Sequence, residues 1–142
     1  MVTRRPLELR MNNIPELAQP YAEFDEVVEK GVKKRFTNFN EVRSTIEIVT
    51  DQVCGKKQDI IDRPIVLNVF SKSCPNLTIV DLPGITSIPV GGQPLNIYDI
   101  TKNMALRYIS EKRSIILCVI PANQDLAVSE ALKILREIDP SG

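Results

Sequence analysis

The sequence predicts an α/β fold built on a mixed sheet, and three observations carry that prediction. An apolar, β-branched run from Leu77 to Val80 ends on Asp81, and Pro83-Gly84 follows at once. A buried strand that delivers a carboxylate to the carboxyl edge of a parallel sheet reads this way. A second run, Ser114 to Ile120, is almost continuously apolar, as a strand covered on both faces should be. Segments with apolar residues at helical spacing lie between and around these runs, so strands and helices alternate along the chain.

Pro6 to Met11 sets Leu7, Leu9 and Met11 against Glu8 and Arg10, the alternation of a half-buried strand. Tyr21 to Val28 and Val32 to Phe36, around Gly31, read either as a short strand pair or as an irregular excursion. Asn40 is the N-cap expected for a helix from Glu41 to Cys54, with Glu41 placed where negative charge suits the helix dipole. Val42, Ile46, Val49 and Val53 form its apolar stripe, and Gly55 its stop. Pro64 to Ser71 is a strand with Ile65, Leu67 and Val69 on one side and Val66, Asn68 and Phe70 on the other. Leu77 to Asp81 is the next strand. The brief link Ser73 to Asn76 predicts that these two form an antiparallel hairpin. A helix opening at Asn96 buries Ile97, Ile100, Met104 and Tyr108. The last helix spans Ala127 to Ile138, with Val128, Ala131, Leu132, Leu135 and Ile138 inward and Lys133 paired to Glu137 outside. Asp139-Pro140-Ser141-Gly142 breaks it.

A chain of 142 residues with 43% hydrophobic content has room for one domain with a real core. Net charge is zero and the pI is near 6.3, so no global field favours nucleic acid or anionic membrane. The basic cluster Lys30, Lys33, Lys34 and Arg35 reads as a solvated hairpin surface. No apolar run reaches the roughly 18 residues a bilayer span needs, and the first residues lack a signal-peptide pattern. Cys54, Cys74 and Cys118 are odd in number and widely spaced in apolar sequence, which suits reduced thiols in the cytosol. Histidine is absent, which excludes Cys/His zinc sites and histidine acid–base catalysis.

The chemistry-bearing element is Asp81-Leu82-Pro83-Gly84, a D-x-x-G pattern. Nucleotide hydrolases use it beside a terminal phosphate, the Asp near magnesium and the Gly letting its N–H approach the phosphate oxygens. Alone, D-x-x-G is also what a plain turn after a strand produces. The continuation Ser87-Ile88-Pro89-Val90-Gly91-Gly92-Gln93-Pro94 is Gly/Pro-rich and too long for a simple reversal. Together, Leu77 to Pro94 closely resembles the switch II region of the dynamin superfamily of large GTPases. Thr3-Arg4-Arg5-Pro6-Leu7 resembles the end of that family's switch I, and Pro121-Ala122-Asn123-Gln124-Asp125-Leu126-Ala127 its next loop. Ser129 to Lys133 and Glu137 to Gly142 continue in register.

The resemblance implies a Ras-like three-layer P-loop GTPase fold, with residues 1–142 forming part of a dynamin-type G domain. It implies GTP as substrate and Mg2+ as cofactor. Thr3 would bind the metal through its hydroxyl and orient the attacking water through its backbone. Asp81 would stand in the metal's outer shell, and the Gly84 N–H would meet the γ-phosphate. Gln93 and Asp125 would serve a dimer interface between G domains, although Asp125 also fits as a cap on the helix after it. Gly92 stands where many family members carry Asp, and Ser87 where several carry a basic residue. Self-assembly, membrane remodelling or division through regions outside this chain, microtubules as a partner and a cytoplasmic, membrane-peripheral location follow from the resemblance as well.

Two family elements do not occur in the sequence. There is no G-x-x-x-x-G-K-[ST], since the glycines fall at 31, 55, 84, 91, 92 and 142, and no T-K-x-D to read a guanine edge. In the Ras-like sheet the phosphate-loop strand lies between the strand ending at Asp81 and the one ending at Ile120; here it would precede Met1. The expectation is therefore a G-domain part that is marginal as an independent fold and inactive alone, unless the gap closes by direct pairing of its neighbours. The competing readings are a non-catalytic dimerisation or regulatory module acting through Ile88 to Pro94 and Pro121 to Ala127, and an incomplete product with no separate function.

Overall fold

The computed structural model describes residues 3–55, 59–86, 88–89, 91–111, 113–123 and 125–140, with Val128 described by its backbone alone. Ser87, Val90, Gln124, Ser141 and Gly142, the Val128 side chain and Lys56-Lys57 lie outside what is described. Five strands form one mixed sheet: β1 (Leu7–Asn13), β2 (Tyr21–Glu29), β3 (Val32–Phe36), β4 (Ile65–Ser71) and β5 (Leu77–Asp81), in the order β3-β2-β4-β1-β5. Three helices accompany it: α1 (Phe39–Cys54), α2 (Ile97–Ile109) and α3 (Glu130–Ile138), with a short 3-10 turn at Leu126–Val128. The α/β class with a mixed sheet is as the sequence predicts.

The predicted β4–β5 hairpin does not form. β1 lies between them, parallel to β4 from Leu7↔Ile65 to Asn13↔Ser71 and antiparallel to β5 from Leu7↔Asp81 to Met11↔Leu77. The link from Lys72 to Asn76 therefore bridges two strand spacings, about 9.5 Å, over the end of β1. Asn13 holds that arch. Its Nδ2 donates to the carbonyls of Lys72 (3.2 Å) and Cys74 (2.7 Å), and its backbone N–H donates to Asn76 Oδ1 at 2.7 Å. A short link specifies that two strand ends are close, and it does not specify that nothing lies between them. β5 is also not the buried strand of the sequence reading. It is a sheet edge, antiparallel to its neighbour, with Leu77 and Ile79 about half exposed.

The core forms on one face of the sheet under α1. Ala22, Phe24, Phe36, Val42, Val49, Ile65 and Leu67 are buried together, with Leu7, Leu9, Val27, Ile46 and Val69 packed around them. Phe24 and Phe36 meet edge to face with ring centroids 5.5 Å apart, a geometry that adds about 0.5–1.5 kcal/mol beyond burial. α1 begins two residues earlier than expected because Asn38, not Asn40, caps it: the Asn38 side chain accepts from the Asn40 N–H. Its stop is at Gly55 as predicted, where φ is +64° and a side chain would be strained.

β2 and β3 form an antiparallel pair, the first of the two expected readings, with a register shift between Glu23 and Val28. Lys30 and Gly31 both take positive φ, the requirement of a tight hairpin turn whose twist matches the strands. The basic cluster beside this turn is neutralised across the strands. Lys33 pairs with Asp25, Lys34 with Glu29 at 3.0 Å and Arg35 with Glu23 at 3.0 Å. A solvated hairpin surface is thus what the residues make.

α2 buries Ile97, Thr101, Met104 and Ala105, with Ile100 and Tyr108 half-buried. Its end meets the sheet through the Tyr108 hydroxyl, which donates to Glu8 at 3.4 Å. Two expectations fail further on. Ser114 to Ile120 is not a strand: Ile115, Leu117 and Val119 are 94%, 85% and 90% exposed, and no described strand pairs with the segment. Apolarity supplies a reason to be covered, whereas a strand also needs an edge to bond to. The sheet ends at β5, so no closing of the gap by neighbour pairing occurs among the described residues. The single helix from Ala127 to Ile138 is divided, with Ser129 accepting from the Leu132 N–H (3.4 Å) as the N-cap of α3. Ile134 is its buried residue, and Lys133 bonds Glu130 at 2.7 Å instead of Glu137, holding the Glu130 carboxyl below its ordinary pKa.

Three outcomes are expected from this arrangement. Amides from Ile115 to Ile120 exchange rapidly with solvent by hydrogen–deuterium measurement, and protection equal to that of β1 would contradict the unpaired segment. Asn13→Ala costs about 1–3 kcal/mol in urea unfolding, since it frees an arch whose carbonyls lose their donor. Burial pushes the Cys54 thiol up against the lowering influence of Arg4 and Arg5, so the folded chain holds that proton more tightly than the unfolded one. The resulting stabilisation is full below the ordinary thiol value of about 8.5 and is lost as pH rises through it toward the folded value. Unfolding free energy then falls less steeply with alkaline pH in Cys54→Ala than in the parent.

Candidate functional site

The insertion of β1 is what builds the site. Because β1 and β5 run in opposite directions, the entry to β1 lies beside the exit of β5. Thr3 stands just before β1 and Asp81 closes β5, and the Thr3 hydroxyl donates to Asp81 Oδ2 at 3.0 Å. The two residues the sequence assigned to one metal are 78 positions apart and in direct contact. They converge one hydroxyl and one carboxylate at a solvent-open sheet end. Mg2+ takes few protein oxygens, keeps several waters and fills its shell with substrate phosphates, so this sparse donor set fits it. Among the described residues no cluster of three or more His, Cys, Asp or Glu offers a fuller metal cage.

The loop after Asp81 turns through buried Pro83 to exposed Gly84, where a side chain would meet nothing within 4 Å. That openness leaves the Gly84 backbone approachable from solvent. Further along, the Thr86 hydroxyl donates to the Ile88 carbonyl at 3.2 Å, and Gly91 and Gly92 hold φ of +57° and +90°. Gly92 therefore occupies a backbone conformation that a residue with a side chain reaches only with strain. Gln93 is half-buried beside it, and Ile88 and Leu95 are 74% and 94% exposed. Asp125 Oδ1 accepts from the Ala127 N–H at 2.9 Å, so its side chain caps the 3-10 turn.

Sequence reasoning missed the residues that hold Thr3 in place. Arg4 pairs with Asp51 and donates from Nη1 to the Gly55 carbonyl at 3.0 Å, where a cation suits the carboxyl end of α1. Its own carbonyl accepts from the Ile61 N–H at 3.0 Å and from Cys54 Sγ at 3.8 Å. Arg5 is buried under the same end of the sheet. The available signal was two adjacent arginines directly before Pro6 at the start of an apolar strand, where surface charge is out of place.

The comparisons with known proteins agree with this architecture. The sequence matches the family model described as Dynamin family over residues 1–142. It is 45% identical over 142 residues to Dynamin-related protein 12A of Glycine max, covering all of this chain and 23% of that protein. Against Dynamin-2 of Rattus norvegicus it is 49% identical over 142 residues, all of this chain and 16% of the relative. Against Dynamin-1-like protein of Danio rerio it is 44% identical over 155 aligned positions, all of this chain and 22% of the relative. The chain spans about a fifth of the length of the curated relatives it matches. With the whole chain matched and a mixed α/β sheet that sets Thr3 against Asp81, the chain belongs to the dynamin family.

Proposed function

We propose that residues 1–142 are the switch-bearing part of a G domain that binds GTP with Mg2+ and hydrolyses it to GDP and phosphate. The observation that carries this reading is the 3.0 Å hydrogen bond from Thr3 to Asp81, which sets a hydroxyl and a carboxylate at one sheet end with Gly84 three residues beyond. Phosphoryl transfer to water asks for positioning and charge neutralisation more than for covalent catalysis. Thr3 contributes its hydroxyl to the metal and its carbonyl to orienting the attacking water. Asp81 holds the outer shell by accepting hydrogen bonds, and the Gly84 N–H donates toward the γ-phosphate. Mg2+, when bound, neutralises charge that develops on the phosphate oxygens. No G-x-x-x-x-G-K-[ST] loop occurs in the 142 residues, so phosphate cradling and guanine selection are assigned here to none of them.

In the same reading the parent protein is a dynamin-like GTPase of the cytoplasm, peripheral to membranes that it remodels or divides. G domains pair through the loop bearing Gln93 and the loop bearing Asp125, and self-assembly, membrane contact and any microtubule contact belong to the longer protein. The exposure of Ile88 and Leu95 supports a contact surface in the first of these loops. It equally supports a dimerisation or regulatory role without catalysis.

The test is Mg2+-dependent GTP binding by calorimetry and GTP turnover, on this chain and on one extended upstream through a phosphate-loop strand. The extended protein should bind and hydrolyse GTP, and Thr3→Ala should lower its kcat by about 100-fold, with Asp81→Asn acting in the same direction. Turnover unchanged by Thr3→Ala would overturn the assignment. Guanine-selective binding by the short chain would reveal a phosphate site elsewhere in it.

A further inference from the structure

Arg5 is the largest fully buried side chain of the protein among those described, at 1% exposure. Its guanidinium spends its donors on three separate segments. Nε donates to the Arg63 carbonyl at 2.8 Å and Nη1 to the Val49 carbonyl in α1 at 2.7 Å. Nη2 reaches both carboxylate oxygens of Glu26 in β2 at 3.2 Å and the Pro64 carbonyl at 3.3 Å. None of these partners touches Thr3, yet Arg5 stands two residues from it. We propose that Arg5, locked by Glu26, is a positioning residue that fixes the backbone on which Thr3 meets Asp81. This rests on the reading of Thr3 and Asp81 as the metal and water site.

Three features lead from the burial of Arg5 to the placement of Thr3. Pro6 follows at once, with its φ fixed and its carbonyl accepting from the Ile65 N–H at 2.8 Å, so the chain beyond Arg5 cannot swing. Two residues of backbone separate Arg5 from Thr3, a lever of about 7 Å at most. Arg4 adds its own backbone bond from the Ile61 N–H and a bond from Nη1 to the Gly55 carbonyl, while its pair with Asp51 joins an arginine 15% exposed to a carboxylate 68% exposed and, screened by water, holds position weakly.

A buried, charged, multiply bonded side chain is also an uneconomical way to gain stability alone. Well-packed apolar residues of similar volume often stabilise a core as well or better. What the planar guanidinium fork offers instead is direction: its donors reach several acceptors in fixed geometry, which a lysine ammonium on a flexible stem does not reproduce. Phosphoryl transfer uses such precision, since a displacement of about 1 Å can cost about 100-fold in rate.

The test is made in the full-length protein with Arg5→Lys, Arg5→Met, Glu26→Gln, Thr3→Ala and the Arg5→Lys/Thr3→Ala double variant. Each is measured for folded fraction, for kcat and KM with GTP per folded molecule, and for the Mg2+ concentration giving half-maximal turnover. Expected is a kcat loss of about 10- to 100-fold in Arg5→Lys and Arg5→Met with KM for GTP little changed. Half-saturation by Mg2+ moves upward, and Glu26→Gln shifts the same quantities by less. The double variant is no slower than Thr3→Ala alone, because a residue that acts through Thr3 has nothing left to position. Wild-type kcat and Mg2+ dependence in Arg5→Lys and Glu26→Gln, beside a crippled Thr3→Ala, would overturn the positioning role and leave the site reading intact. Full activity of Thr3→Ala would overturn both. If the Arg5 variants do not fold, Glu26→Gln decides: unchanged kcat and Mg2+ half-saturation in it overturn the proposal.

Discussion

Everything distinctive in this chain follows from one strand bonded on both edges to neighbours of opposite sense. β1 satisfies its backbone groups toward β4 in parallel register and toward β5 in antiparallel register. The parallel side places Leu7 and Leu9 over the core that α1 covers, so apolar burial holds the strand to its face. The antiparallel side brings the exit of β5 back to the entry of β1, and Asp81 arrives beside Thr3. One ladder therefore serves packing on one edge and brings a hydroxyl and a carboxylate together on the other.

The polar interactions divide by exposure. On the β2–β3 hairpin, Lys33, Lys34 and Arg35 pair with Asp25, Glu29 and Glu23 in water, and such pairs are each worth about 0–1 kcal/mol. They keep the surface soluble and the strands in register by charge matching, and little more. Arg5 differs because it is buried and its partners are mostly carbonyls, and removing it would leave those of Arg63 and Pro64, just before β4, without that donor. Breaking a fully buried pair costs about 3–5 kcal/mol, several times what one exposed hairpin pair is worth, and the Arg5–Glu26 pair, with Glu26 partly open to solvent, lies between the two.

The five strands, α1 and the strand exit at Asp81 were legible in the sequence because each rests on local pattern, whereas Thr3 entered only through the family resemblance. Alternation of Leu7, Leu9 and Met11 marks a face, the spacing of Val42, Ile46 and Val49 marks a helix, and Asp81 before Pro83-Gly84 marks a strand exit. Neighbour relations were not legible, since a period of two fixes which side a residue faces and says nothing about which strand lies alongside. This is why β4 and β5 read as a hairpin although β1 divides them. The run from Ser114 to Ile120 misled for a related reason, its composition being that of a covered strand while its pairing depends on residues far away. Ser129, which caps α3, stands inside the stretch from Ala127 to Ile138 whose apolar spacing reads as one helix, so that spacing hid the break.

The pleat of β1 gives its register a further meaning. Sliding the strand by one residue against β5 would turn Leu7 and Leu9 away from the core and carry Thr3 about 3.3 Å along the sheet, out of reach of Asp81. Sliding it by two would restore the faces and double the displacement. Misregistered sheets thereby lose the contact between Thr3 and Asp81 as well as tight packing. The contact between Thr3 and Asp81 works as a gauge of correct assembly, closing only when every rung between Leu7 and Met11 has found its proper partner.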